Sequence, residues 1–213
     1  MAHKKDTYPA SLHIDYVKKH NRLTTFFRLF LSIPILIVVN ALTASSTYTY
    51  INEAGEVITQ NGGGIVGALF AATLLMIVFR QRYPKWWFNF NLELNRFTTR
   101  VGAYIFLLTD QYPSTEDQQA VHLDVQYPDA KKDLNRFLPL VKWLLAFPHY
   151  IVMAFLVLGA VWATIIAWFA IMLTGNYPKG LFDYVVGVGR WALRVNAFTT
   201  LLTTDKYPPF SLK

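Results

Sequence analysis

Two histidine–carboxylate pairs and two arginine stripes hold the residues whose types and spacing could do chemistry. His13 and Asp15 lie two apart in Leu-His-Ile-Asp, and His122 and Asp124 lie two apart in Val-His-Leu-Asp. On a strand, residues i and i+2 share a face. Two apposed strands would therefore gather two imidazoles and two carboxylates, a nitrogen–oxygen set suited to a transition metal. The plainer reading is two exposed strands with solvated polar faces, paired as a cytoplasmic cap. Metal is the sharper alternative, and no cofactor is expected.

The arginines fall on helical spacing. Asn89, Glu93, Arg96 and Arg100 recur at i, i+4, i+7 and i+11, a narrow polar stripe on a segment otherwise covered by Trp86, Trp87, Phe90, Leu94, Phe97 and Val101. Asp183, Arg190 and Arg194 repeat the stripe, with Gly187 where Glu93 stood. One expectation is an interfacial helix whose stripe faces water and lipid phosphates. The other sets the arginine pairs around an axis as an anion or phospholipid-headgroup site, with Asn89, Glu93 and Asp183 as counter-partners, because an arginine fork donates two parallel hydrogen bonds to phosphate. Pro34 and Pro148 fall mid-span and imply kinks. His149 follows Pro148, and a histidine at membrane depth is a proton or ligand group by default.

Other chemistry is missing from the sequence. There is no cysteine, which removes disulfides, thiolate nucleophiles and Cys-based metal sites. No Gly-x-x-x-x-Gly-Lys loop, Gly-x-Ser-x-Gly elbow or His-Glu-x-x-His occurs. The expectation is a protein that is not an enzyme, with no catalytic residues.

The elements that must position these groups are apolar. Only 15% of the residues are charged and 54% are hydrophobic, against about 25% charged in a soluble domain. Membrane crossing takes about 20 residues of helix. Residues 26 to about 42 form one expected span and about 63 to 79 a second. The tract 138–174 makes two more, with Gly159 at a tight reversal. The first 21 residues are polar and basic, with no cleavage site, so the first span is retained as an anchor. Lys and Arg crowd the N-terminus, the 80–136 segment and the C-terminus, while 44–62 has none. That places both termini in the cytoplasm. Thr47–Ile51 and Val57–Thr59 flank Glu53-Ala54-Gly55-Glu56, an outer hairpin. Gly62-Gly63-Gly64 is a linker.

The chain also repeats itself. Tyr83-Pro84-Lys85 recurs as Tyr177-Pro178-Lys179, Arg96 and Arg100 as Arg190 and Arg194, and Leu107-Leu108-Thr109 as Leu201-Leu202-Thr203. Asn21-Arg22 recurs as Asn135-Arg136, and Pro34 as Pro148. The expected fold is a mainly α integral membrane protein. Its four transmembrane helices form two parallel tandem repeats, 8–117 and 118–213, related by an axis along the membrane normal. Each repeat carries an amphipathic interfacial helix on the cytoplasmic side and short β segments.

Tyr-Pro-Lys-Trp-Trp-Phe-Asn-Phe-Asn-Leu-Glu (83–93), Asp-Leu-Asn-Arg-Phe-Leu-Pro-Leu-Val-Lys-Trp (133–143), Phe-Pro-His-Tyr-Ile-Val (147–152) and Thr-Asp-Lys-Tyr-Pro-Pro-Phe (204–210) resemble a bacterial membrane-protein family. It is catalogued as domain of unknown function four-three-eight-nine. The resemblance runs over about 8–212 and implies a bacterial inner-membrane protein with a duplicated domain. It implies no activity. The function expected from the residues is a scaffold, an accessory subunit or an anionic-lipid-interacting partner of a membrane assembly. The alternative is an oligomeric transporter or channel for a small ion, lipid or metabolite along the repeat axis. Partners are membrane lipids and other membrane subunits or further copies, not nucleic acid.

Overall fold

No residue between Pro148 and Gly175 is obliged to stop a helix, and the long apolar tract folds accordingly. In the computed structural model, which describes residues 8–43, 46–62, 64–117 and 119–213, one helix runs unbroken over Phe147–Thr174. Gly159 lies inside it and makes no turn. A Cβ at Gly159 would collide with the Tyr184 hydroxyl, which donates to the Leu156 carbonyl at 3.1 Å. The glycine is there for close approach of a neighbouring helix. The tract breaks earlier, where a 3-10 turn Leu138–Leu140 and a short helix Lys142–Leu145 lead in, and Pro148 sits in the first turn of the long helix. It does not kink a span.

The chain order is β1 Ala10–Ile14, α1 Arg22–Phe26, α2 Arg28–Thr43, β2 Ser46–Ile51, β3 Val57–Gly62, α3 Ile65–Leu75 with a π-helical turn Met76–Arg80, α4 Lys85–Ile105, β4 Val121–Val125, α5 Lys142–Leu145, α6 Phe147–Thr174 and α7 Lys179–Thr199. Four transmembrane helices are not present. α2 has 16 residues, and α3 with its π-helical turn, Ile65–Arg80, falls in the same 10–17-residue range, short of the about 20 a crossing needs. Among the described residues α6 alone is long and apolar enough to cross a membrane, by length and composition. The inference that both termini share one side depended on an even number of spans and falls with that count. Its N-terminal markers Lys4 and Lys5, like the linker residue Gly63, lie outside the described residues.

What the sequence suggested as two spans joined by a hairpin is a single line of helix with the hairpin let out of it. β2 and β3 pair antiparallel with Ser46 opposite Gly62, so the hairpin leaves and returns at one place. On α4, Ile35 of α2 packs with Phe97 and Val101. Thr43, Val66 and Phe70 then gather around Asn91, Leu94 and Thr98. α2 and α3 thus follow α4 in one direction, from its C-terminal toward its N-terminal half. α6 runs antiparallel along α7 in the same way: His149 meets Trp191, and Leu156 meets Tyr184.

A third layer completes the molecule. β1 and β4 form an antiparallel pair with His13 opposite His122. Strand alternation buries Leu12, Ile14, Val121 and Leu123. Arg190 Nε donates to the Leu12 carbonyl and Arg96 Nε to the Leu123 carbonyl, each at 2.9 Å, which fixes the sheet over the middles of α7 and α4. At 3.6 residues per turn, Trp191 faces away from Gly189, which lies against Leu12, and Trp191 is the residue that meets α6. The order is therefore sheet, then α4 with α7, then α2–α3 with α6. The outermost helical layer stays bare: only 17% of the most apolar stretch of α6 is buried. Phe155, Trp162, Ile166 and Phe169 of α6 and Leu29, Phe30, Ile33 and Ile37 of α2 are exposed.

Gly159→Ala should destabilise by about 1–3 kcal/mol through overpacking against Tyr184. In a Tyr184→Phe background the same change should be neutral or stabilising, since alanine is the better helix former by about 0.5–1 kcal/mol. Thermal unfolding in detergent of the four proteins checks the change of sign. A turn at Gly159 would show no coupling.

Candidate functional site

The apposition that a metal site required does occur. His13 and His122 stack at 6.0 Å between ring centroids. Their Nε2 atoms lie 3.3 and 3.1 Å from the two carboxylate oxygens of Asp15. The hydrogen bond from His122 is the main reason the Asp15 carboxyl sits below its usual range, with the charges of both histidines adding to it. The two Nε2 atoms meet at one carboxylate, each beside a different oxygen. Asp124 turns to Arg96, 3.6 Å away. Among the described residues no three histidine or carboxylate side chains are placed to hold a metal ion. The face is polar and solvated, and with Glu93, Arg96, Arg100 and Glu116 it lines a cleft of about 480 Å³.

The arginines of both stripes hydrogen-bond to backbone carbonyls. Arg96 and Arg190 give Nε to the strand carbonyls already named, and Arg96 adds Glu93 at 2.7 Å. Arg100, buried, donates to the Ser114 carbonyl at 3.0 Å. Arg194, also buried, donates to the Lys213 carbonyl at 2.6 Å and to that of Ser211. Asp183 pairs with Lys179 at 2.8 Å along its own helix, and Asn89 is exposed. These guanidinium groups bind backbone and hold the sheet and the chain segments that follow α4 and α7. Gly187 breaks the stripe because Leu212 of the C-terminal tail packs there, where a Cβ would collide with it. Helical spacing located the stripes, but their acceptors come from strands and tails remote in sequence.

Sequence reasoning missed the two most buried cations. Arg28 is 1% exposed and Lys142 is 0% exposed. Arg28 donates to the Thr109 carbonyl at 2.8 Å and the Tyr104 carbonyl at 3.3 Å, and pairs with Asp110. Lys142 donates to the Thr204 carbonyl at 2.7 Å and pairs with Asp205 at 2.7 Å. In both places the cation meets the chain segment that follows a long helix, and Arg28 also reaches the last turn of α4 through the Tyr104 carbonyl. Each aspartate also takes a backbone N–H, Asp110 from Asn21 at 2.8 Å and Asp205 from Asn135. Further bonds recur in pairs. Arg22 reaches the Leu173 carbonyl at 3.1 Å and Arg136 that of Phe79 at 3.2 Å. Tyr83 reaches the Leu201 carbonyl at 2.8 Å and Tyr177 that of Phe106 at 3.4 Å. The signal was in the sequence: Thr109-Asp110 and Thr204-Asp205 follow α4 and α7, the second pair one residue later in register.

His149 is fully buried, stacks on Phe210 at 4.0 Å and accepts from the Trp191 indole at 3.0 Å. It fastens the C-terminal tail to α6 and α7.

Burial works against ionisation of Asp110. Hydrogen bonds from His20 and Asn21, with the charges of His20 and Arg28, outweigh it and hold the carboxyl below its usual range. A carboxylate with a depressed folded-state pKa contributes stability that is present above its unfolded pKa and lost as pH falls through the folded one. Wild type should therefore lose thermal stability below about pH 4. Asp110→Ala should cost about 3–5 kcal/mol at neutral pH, because it leaves Arg28 buried without its counter-charge, and should flatten that acid limb. Unfolding temperature against pH for the two proteins checks both effects.

No curated protein and no solved structure matches the chain. Residues 139–211, which span α5, α6, α7 and most of the tail, match the model of one family in a single copy, so over this segment the chain is similar to the family described as Domain of unknown function (DUF4389).

Proposed function

We propose that this protein is a non-enzymatic membrane protein seated in one leaflet, with α2–α3 and α6 lying in the plane of the bilayer and the β1–β4 sheet in water. The observation that carries this reading is the layering. The polar sheet covers the middle of α7 on one side, and the bare apolar face of α6 lies on the other. If α6 stood across the bilayer, His13, Asp15, His122 and Asp124 would fall near mid-depth, where an aspartate costs about 2.5–3.5 kcal/mol. Laid flat, every exposed charge of the sheet stays in water and the apolar helices enter the boundary between headgroups and acyl chains, as in-plane amphipathic elements do.

The recurring bonds support a second inference, that 8–117 and 118–213 are copies of one unit. On this reading α2 and α3 together correspond to α6, and the hairpin is an insertion in the first copy. The axis relating them passes between α4 and α7 and through the His13–His122 pair, perpendicular to the helices. It is then the membrane normal, and both copies meet the leaflet at one depth. The family resemblance favours the bacterial inner membrane. The net charge of +7 favours its anionic cytoplasmic surface, where each basic residue contributes about 1 kcal/mol. Such a molecule is a lipid-seated scaffold or accessory subunit that offers its polar cleft to the cytoplasm. Solute transport along the axis is disfavoured, because the space between α4 and α7 is walled almost entirely by apolar side chains.

Single tryptophans placed in turn at Phe155, Trp162, Phe169 and Leu173, with the remaining tryptophans replaced by phenylalanine, test the orientation in vesicles containing phosphatidylglycerol. Depth-dependent quenching by brominated lipids should give one shallow depth for all four. A helix that crosses would spread them over about 27 Å along the normal, and a graded profile would overturn the in-plane reading.

A further inference from the structure

The two central helices do not close on each other. Asn196 donates to the Asn95 side-chain oxygen at 2.7 Å and ties α7 to α4 near one end. Beyond that tie a cavity of about 460 Å³ opens between the helices, within the about 300–1,000 Å³ of small-molecule sites. Small residues leave the space: Gly102 and Ala103 on α4, Gly189 and Ala192 on α7. A Cβ at Gly102 would meet nothing within 4 Å. The floor is Leu12 and Ile14 of the sheet, and the opposite end is Val157 and Ala160 of α6. Val157 is 42% exposed on the bare apolar face, so the cavity adjoins the surface that carries the outward-facing side chains of α6.

We propose that this cavity binds one linear acyl chain. Three observations select that chemistry. No charged side chain lines the wall, so the part of the ligand inside is uncharged. The lining follows α4 from Asn95 to Phe106, about 16 Å of helix, which suits a flexible chain better than a compact ring. Val157 puts the cavity beside the apolar face, where chains would be available. Asn95, Thr99 and Asn196 are the polar positions and receive the oxygen-bearing end. Water would find few groups to bond in so apolar a space. The site does not depend on how α6 lies in the membrane.

The test is photo-crosslinking of the purified full chain in detergent with palmitic acid carrying a diazirine in mid-chain, and separately with a phosphatidylglycerol bearing the same chain. Mass spectrometry maps the adducts. Adducts are expected on the α7 segment from Val185 to Ala192, reduced at least about tenfold by Gly102→Leu, which fills the space and adds a better helix former. The control Gly67→Leu, also with open space around its Cβ, should leave them unchanged. The unfolding temperature of Gly102→Leu should equal or exceed that of wild type. If that variant fails to fold, Ala192→Leu fills the same space from α7. Labelling by the free acid alone identifies a fatty-acid site, and labelling by both identifies a phospholipid chain drawn from the leaflet. Adducts confined to the outer faces of α2 and α6, or adducts on α7 that survive both fillings, overturn the proposal. Either result leaves the in-plane reading standing, since quenching depth reports orientation separately.

Discussion

The structure depends on two cations that cannot stay in water. Arg28 and Lys142 stand at the beginnings of the apolar helical lines, and packing those lines carries both charges inside. A buried unpaired cation costs several kcal/mol, so each must find acceptors where it lands. The acceptors are the carbonyl oxygens around the ends of α4 and α7 and the aspartates that follow them. Leu107 and Leu202 take positive φ, 61° and 55°, at those ends, and so turn the chain to present Thr109-Asp110 and Thr204-Asp205. One charge-assisted cluster thus fixes the crossing of α2 on α4, and its counterpart fixes the approach of α5 and α6 to α7.

The remaining arginines extend the same logic across the chain. Arg96 and Arg190 each hold a strand from the other half, and Arg22 and Arg136 each hold the end of a helix from the other half. Neither half satisfies these four arginines by itself. The sheet itself takes one strand from each, and a two-stranded sheet is marginal without a partner surface. That surface is the inner pair of helices, whose sheet-facing positions are small or apolar and whose arginines meet strand carbonyls. Stability and pairing of the halves are therefore one property.

Polarity is segregated by layer rather than by position along the helices. The sheet carries its histidines and carboxylates outward, the inner helices give their four arginines to backbone carbonyls, and the outer helices carry almost no charge. A narrow contact stripe on α6, built on Ala160, Ala163, Ala167 and Ile171, lets that helix seat closely while most of its circumference stays free. An exposed apolar surface of this extent is unusual for a protein surrounded by water. It gives the fold one face that requires an apolar neighbour and another that requires water.

Several features could be read from residues alone. Alternation placed β1 and β4 and predicted their pairing. Turn residues placed the β2–β3 hairpin, and the recurring Tyr-Pro immediately precedes α4 and α7, with Pro84 and Pro178 as extended N-cap residues. All of these are local rules. The number of crossings was misread because length and hydropathy do not say whether a glycine turns the chain or admits a neighbour. Only the Tyr184 hydroxyl, brought by α7, decides that for Gly159. The arginine stripes could be located by periodicity but their acceptors could not, since these are backbone carbonyls of strands and tails, which carry no sequence signature. Arg28 and Lys142 are single charges in apolar runs, and only the segments folded back after α4 and α7 supply what neutralises them. Local preference set the elements. Long-range satisfaction of buried charge and backbone set which faces meet.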